Sequence, residues 1–415
     1  MARWRLDALL LIALALAACL AALEGQRRVP ASLSLHREGY DIWFEGDSPR
    51  AYAVASTRWP DPKYHKYHTR RHPLFILMTL PLVQACRVAF GLSPLQAVQI
   101  LMGLVAALWV GALFTLLRLW GCRRPDAVLF SLLAASSAAA VFWFSVPETW
   151  GLGSLSLLAP LLLVAWTRVR PIPLWGYVAA SAISLSITVT NWMAGIVAAF
   201  VQLPWRRAIQ VTVSALCLVT LLWGVQQLLL PNRIQFFLKT GNDTRYMLQR
   251  ESGGPLQITK AFVFHAMLMP AITDVLQGNR PGLTRMSAQR SVPGSATPWG
   301  RAGVWAWGLL IGLGLAGMPA AIRRHRSLAL TVLLTLLGQY LFHLVYGGEE
   351  TFLYALHWLP LLVLLAACST LTRARPFALA LAAGLLVCAV VNNIRQFSMA
   401  TTHAARYMNI VEGSS

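Results

Sequence analysis

Charge is what this sequence has least of. Only 12% of its 415 residues are Asp, Glu, Lys or Arg, and just 15 of those are acidic. That is too little ionised side chain to cover a water-soluble globule of this length, whose surface would carry plentiful charge of both signs. Cysteine is sparse as well. The six (Cys19, Cys86, Cys122, Cys217, Cys368 and Cys388) lie in or beside apolar stretches, and none forms a CxxC pair. Neither a disulfide framework nor a zinc site is indicated. An internal repeat of the kind built into many secondary transporters is also missing.

Hydrocarbon takes the place of charge. The chain is 57% hydrophobic, with a mean hydropathy of +0.58. Apolar segments fall near residues 6–23, 74–90, 95–117, 126–145, 150–166, 174–203, 208–230, 301–320, 327–345, 352–371 and 376–394. Many reach the length that crosses a hydrocarbon core of about 30 Å. The expected fold is an all-α polytopic membrane protein, a single domain over residues 1–415. The net charge of +20 would point to nucleic acid in a soluble chain. Here it reads as basic residues retained at the cytoplasmic helix ends. Met1-Ala2-Arg3-Trp4-Arg5 and the Ala/Leu run after it have the look of a signal peptide, and Leu16-Ala17-Ala18-Cys19 that of a lipoprotein box. Because the apolar run continues to Leu23, residues 6–23 are expected to stay as an uncleaved first span.

Sidedness follows from the short basic connectors. Arg118, Arg123 and Arg124, Arg168 and Arg170, Arg206 and Arg207, Arg323, Arg324 and Arg326, and Arg373 and Arg375 join Arg3 and Arg5 as the cytoplasmic set. Glu45, Asp47, Glu148, Glu349 and Glu350 then fall at the opposite ends. Two adjustments are needed. Segment 74–90, with Pro81, Gln84 and Arg87, must enter and leave on the outer side. Segment 174–203 must be two short spans with Asn191 at their outer turn. The expectation is about eleven transmembrane helices plus one re-entrant or interfacial helix. The alternative is one straight helix at each place, which puts Glu148 and Glu45 on opposite faces. Two outer loops are long. Residues 24–72 hold an acidic motif. Residues 231–300 are expected to be partly interfacial, with a membrane-surface helix near 255–277 and a mobile loop from Gly278 to Gly300.

The chemistry-bearing residues are few. Glu45-Gly46-Asp47 sets two carboxylates at i and i+2, able to point at one small volume; the same residues also read as a solvated turn. His65, His68 and His72 have metal-ligand spacing, but Arg70 and Arg71 sit among them. Such a basic cluster suits a phosphate or pyrophosphate, or a plain membrane interface, better than a cation. Glu148 in Pro147-Glu148-Thr149 fits a helix start or a site. Asn191 interrupts an apolar segment, and intramembrane polar residues are functional candidates by default. Glu349-Glu350 stands between Gly347-Gly348 and Thr351, with His343 and His357 about two turns to either side.

This layout resembles the C-type (GT-C) glycosyltransferases, polytopic enzymes that include aminoarabinose transferases and protein O-mannosyltransferases. The residues that carry the resemblance are Glu45-Gly46-Asp47, Arg71-His72-Pro73-Leu74, Pro147-Glu148-Thr149, Thr190-Asn191 and Tyr346-Gly347-Gly348-Glu349-Glu350. The family often shows His-Pro-Pro where this chain has His72-Pro73-Leu74. With only a short tail after the last span, it would be a compact member.

The resemblance implies a transferase moving a sugar from a polyprenyl-phosphate donor to a hydroxyl of a lipid, glycan or protein, with inversion. It implies Asp47 or Glu45 as the base. Arg70, Arg71, Arg87 and Arg245 would serve the phosphate. His72, Glu148, Asn191, Glu349, Glu350 and His357 would line the pocket. No cofactor and no essential metal are expected, although some members hold a divalent ion through loop acids. The implied place is a bacterial inner (plasma) membrane, with the active site on the periplasmic, extracytoplasmic face of the cell envelope. The alternatives are another lipid-linked transferase, an O-acyltransferase built on His343 or His265, and a transporter or flippase of a lipid-linked or anionic substrate.

Overall fold

The computed structural model describes residues 2–36, 39, 41–56, 71–230, 246–248, 250–276, 284–294 and 297–413. Helices dominate: α1 (Ala2–Arg28), α2 (Ser32–Leu35), α3 (Ser48–Ser56), α4 (Phe75–Phe90), α5 (Pro94–Trp120), α6 (Arg124–Ala135), α7 (Ala138–Trp143), α8 (Trp150–Trp166), α9 (Leu174–Ile187), α10 (Trp192–Gln202), α11 (Trp205–Leu229), α12 (Gly254–Lys260), α13 (Pro298–Val345), α14 (Ala355–Ala367) and α15 (Arg375–Gly413). A small antiparallel hairpin, β1 (Thr273–Leu276) with β2 (Thr284–Ser287), is the only sheet among the described residues. Six of the helical stretches are long and apolar enough to cross a membrane, and four shorter apolar helices accompany them. The chain is a multi-pass, all-α membrane protein.

Several apolar segments divide where their sequences supply a reason. Residues 126–145 become α6 and α7, because Ser136 and Ser137 end one helix and cap the next; the Ser137 hydroxyl accepts from the Ala140 N–H. Residues 174–203 separate into α9 and α10 through a 3₁₀ turn, Val189–Asn191. The two segments expected at 301–320 and 327–345 are the two halves of one 48-residue stretch, α13, which breaks between them at His325. At 1.5 Å per residue each half is roughly 30–40 Å long, enough for one hydrocarbon core. The α13 backbone turns extended at His325, between Arg323, Arg324 and Arg326.

The second long loop differs from the sequence expectation. Instead of a surface helix over 255–277, the chain forms α12, one π-helical turn at Ala261–His265, and a non-helical run through Met269 that leads to β1. Phe262, His265, Met267, Leu268 and Met269 are buried. Phe262 stacks on Trp358 at 4.3 Å. Residues 261–270 are a plug inside the bundle, whereas α12 before them, apart from Ile258, and residues 273–275 of β1 after them stay half-buried or exposed. Likewise, the described part of Gly278 to Gly300 forms β2, a turn and the start of α13.

A buried plug needs partners for its backbone, because an apolar surrounding offers none. Asn392 and Asn393 of α15 provide them. Asn393 Oδ1 accepts from the Met269 N–H at 2.9 Å, and its Nδ2 donates to the carbonyls of Met267 and Ser136. Asn392 Nδ2 donates to the Met269 carbonyl. The first N–H groups of α7, on Ala138 and Ala139, donate to Met267 and Ala266.

The basic connectors converge at one end of the bundle. Asp7 pairs with Arg124 at 2.6 Å and Arg118 at 3.3 Å. Asp126, 1% exposed, accepts from the Arg123 N–H and takes a two-pronged contact from Arg375. Breaking a buried pair strands one charge, which costs about 3 kcal/mol at the low end of its range. Arg375→Met, which strands the buried Asp126, should therefore destabilise the folded chain by about that amount. Asp126→Asn combined with Arg375→Met should recover most of the loss. Thermal unfolding in detergent measures both, and equal losses in the two variants would rule out the stranded charge as the cause.

Candidate functional site

Opposite the arginine-rich end, four stretches distant in sequence meet: the first loop, the α7–α8 connector, hairpin strand β2, and the turn between α13 and α14. The first loop is a tight closed turn. The Asp41 N–H donates to Gly46 O, Glu45 N–H to Asp41 O, and Gly46 N–H to Trp43 O. Trp43 and Phe44 anchor it from below, Phe44 meeting Phe142 and Phe352 at 5.6 and 5.3 Å. Asp41, Phe44 and Glu45 all have left-handed backbones, with φ of 64°, 49° and 62°. Such positions cost about 1–3 kcal/mol each and persist only where their surroundings enforce them. Gly46 is required for a different reason. A Cβ there would lie 2.8 Å from Trp43 O and 3.0 Å from Glu148 Oε1.

The turn aims Glu45 across the site. One carboxylate oxygen pairs with Arg285 of β2, and the other accepts from the Glu350 N–H at 3.0 Å. Arg285 also pairs with Glu349, so a single guanidinium ties the first loop to the α13–α14 turn. Glu350 turns inward. Its Oε2 accepts from Ser287 Oγ at 2.7 Å and from the N–H groups of Ala288 and Gln289. Burial pushes the Glu45 carboxyl up to about 7, although the Arg285 guanidinium opposes the rise. Glu350 is raised by burial too, against those donors.

Asp47 and Glu148 form the neighbouring half. Asp47 starts α3: its carbonyl accepts from the Arg50 and Ala51 N–H groups, and its carboxylate pairs with Arg50 at 2.6 Å while remaining 37% exposed. Glu148 is buried beside it, accepting from Ser48 Oγ at 3.4 Å and from the Thr149 N–H. Burial, reinforced by the Asp47 charge, pushes Glu148 up to about 8. Near neutral pH Glu148 is therefore largely protonated, beside a second carboxyl group that is partly exposed.

The basic candidates divide. Arg71 lies over the Tyr246 ring at 4.6 Å, and the Tyr246 carbonyl accepts from Gly347 and Gly348 beside the acidic turn. His72 is buried, with Nδ1 at 2.7 Å from the Ile187 carbonyl. Burial pushes its imidazole down to about 3, so it is neutral. Arg87 lies 12 positions into α4, roughly 18 Å along the axis from the helix start. There it donates to Gln84, whose Nε2 reaches Ser56 O. It does not join the acids. Arg70, Arg245, His65 and His68 lie outside the described residues. Asn191 has little left for a substrate, since it bridges Gly153 O and Gln339. His357 is buried against Trp150 and Tyr354.

Sequence reasoning missed Arg285, Ser287 and Gln289. Only the scatter of ionisable residues in the second loop hinted at them, and no spacing singles them out. Among the described residues no three His, Cys, Asp or Glu side chains are grouped to hold a metal ion. Glu45 and Glu349 converge on Arg285 instead.

A carboxyl raised by folding stabilises the protein below its unfolded value, near 4.5, and that contribution is lost as pH rises through the folded value. Stability should therefore fall between about pH 4.5 and pH 8, with Glu148 and Glu45 both contributing. Glu148→Gln should flatten the upper part of that slope. A melting temperature followed from pH 5 to pH 8.5 decides it: identical slopes would show that Glu148 is ionised throughout.

Compared with known protein families, with curated proteins and with solved structures, the chain has no match in any of the three.

Proposed function

We propose that this chain is a C-type glycosyltransferase, moving a sugar from a polyprenyl-phosphate donor to an acceptor hydroxyl at the outer membrane face. The observation that carries the reading is the meeting of Asp47, Glu148 and the Glu45–Arg285–Glu349 bridge at the end away from the arginine-rich connectors, with Arg71 beside them.

Asp47 is the base in this reading. Glu45 is held by Arg285 and the Glu350 N–H, whereas Asp47 is partly exposed and reachable. Its carboxylate takes the proton of the acceptor hydroxyl as that oxygen bonds to the anomeric carbon. The bond from that carbon to the phosphate oxygen breaks, and the lipid phosphate departs with its electron pair. A phosphate needs little acid help to leave. Arg71 offsets its charge, as preorganised cations do for a developing anion. Glu148, protonated at neutral pH, is placed to donate a hydrogen bond to a sugar or acceptor oxygen.

The same reading gives eleven spans: α1, α5, α6 with α7, α8, α9, α10, α11, the two halves of α13, α14 and α15. Helix α4 would be re-entrant. It starts from a bond between the Leu74 N–H and Ser186 O, and it ends three residues before α5, whose Gln99 carbonyl meets Gln26 near the end of α1. The arginine-rich end faces the cytoplasm.

Asp47→Asn should lower transfer from polyprenyl-phosphate sugars in membranes by about 10²–10⁴-fold, the usual weight of a general base. Turnover within threefold of the parent would remove Asp47 from the mechanism. For sidedness, single cysteines at Val292 and Arg323 in a cysteine-free background should react with an impermeant maleimide from opposite sides. Labelling of both from one side would overturn the topology.

A further inference from the structure

Just below the acids, a cluster of aromatic and histidine rings fills the space between α8, α13 and α14. Trp150 lies 4.8 Å from Tyr354, 5.5 Å from His357 and 5.9 Å from His72. His343 packs on Tyr354 at 5.0 Å. Two nitrogens in this cluster are buried without a hydrogen-bond partner among the described residues: the indole Nε1 of Trp150 and Nε2 of His357. Other buried indoles, such as Trp43 and Trp120, also lack a partner. What sets Trp150 apart is a second orphan nitrogen on the adjoining ring.

The two orphans are chemically complementary. An indole N–H only donates, while an imidazole nitrogen accepts or donates according to its tautomer. A hydroxyl does both, so one hydroxyl oxygen can accept from Trp150 and donate to His357. Buried polar groups are almost always satisfied, and a pair that is not calls for an explanation. The surroundings supply one. Gly153, lacking a side chain, lets the His357 ring approach its backbone closely: a Cβ there would come within 2.7 Å of His357 Nε2 and 3.0 Å of Thr188 Oγ1. Trp150 follows Glu148 by two residues, and Tyr354 ends the turn that begins after Glu350. The cluster is thus the floor of the acidic site, and flat rings suit the C–H faces of a sugar.

We propose that Trp150 and His357 form a subsite for one hydroxyl of the transferred sugar, with the Trp150 and Tyr354 rings against its apolar face. This rests on the glycosyltransferase reading and deepens it, since it assigns sugar recognition to residues separate from the acids and from the phosphate-binding arginine.

The test uses the purified full-length chain and four probes: decaprenyl phosphate alone, and decaprenyl phosphate carrying glucose, mannose or galactose. The wild type is expected to bind at least one sugar-bearing lipid more tightly than the bare phosphate. Trp150→Phe and His357→Phe are each expected to lose about tenfold in affinity for that lipid and nothing for the bare phosphate. A loss shared equally by both probes, or no loss, overturns the subsite. Independently of variant folding, monodeoxy analogues of the preferred sugar are compared on the wild type. Removal of one hydroxyl should erase most of the sugar increment, and an increment indifferent to every hydroxyl overturns the proposal. A wild type that binds the bare phosphate but gains nothing from any of the three sugars overturns the subsite while leaving lipid-phosphate binding intact. A wild type that binds none of the four overturns the glycosyltransferase reading itself.

Discussion

Every departure from helix in this protein has to satisfy its own backbone, because the medium around the bundle offers no hydrogen bonds. The irregular stretches are accordingly stitched by buried amides and one histidine. Gln226 accepts from the Leu77 N–H and donates to Pro73 O. His72 meets Ile187 O, and Asn191 donates to Gly153 O. Asn392 and Asn393 hold the plug. Gln289 joins Ser252 O to the Thr351 N–H. These side chains let the chain bend inside the bundle. The bends in turn bring the first loop, β2 and the α13–α14 turn to one place.

The site is built on tension between burial and charge. Two of its carboxyls, Glu148 and Glu350, are buried and Glu45 is partly so, and one guanidinium, Arg285, is shared between Glu45 and Glu349. Burial raises carboxyl pKa values and pairing lowers them, so neighbouring acids end in different states. Glu148, where the amide donors and the Arg50 charge only partly oppose burial and the Asp47 charge, rises furthest among those with a stated value. Asp47, beside Arg50, is left partly exposed. The left-handed backbone at Phe44 and Glu45 is the conformational cost of this arrangement. The aromatic packing beneath and the Arg285 pairing above sustain it.

Much of the plan was legible in the residues. Recurrent apolar runs near 20 residues specify helices that cross a bilayer, and that holds whatever they pack against. The division at Asn191 was legible because a polar interruption in a thirty-residue apolar run has few other meanings. The acids were legible as a group because so few exist. The plug was not. Residues 255–277 are amphipathic enough to suit a membrane surface, and it takes partners distant in sequence, Asn392 and Asn393 on α15 among them, to hold 261–270 inside. An intramembrane Asn-Asn pair was the available signal. Arg87 misled for the converse reason: its charge and place in sequence matched a phosphate-binding role, but helix geometry carries it roughly 18 Å from the start of α4.

By itself, the sequence determined the class of protein, the helical content and the segregation of basic connectors from acidic ones. These follow from transfer free energies and charge, which are local properties of each segment. The tertiary structure alone decided which carboxylate is paired, which is protonated and which is left reachable. Those outcomes depend on burial and on partners supplied by β2 and the α13–α14 turn, some 240 and 305 positions from Glu45. It also set Trp150 and His357 side by side, two nitrogens whose lack of partners no spacing in the chain foretells.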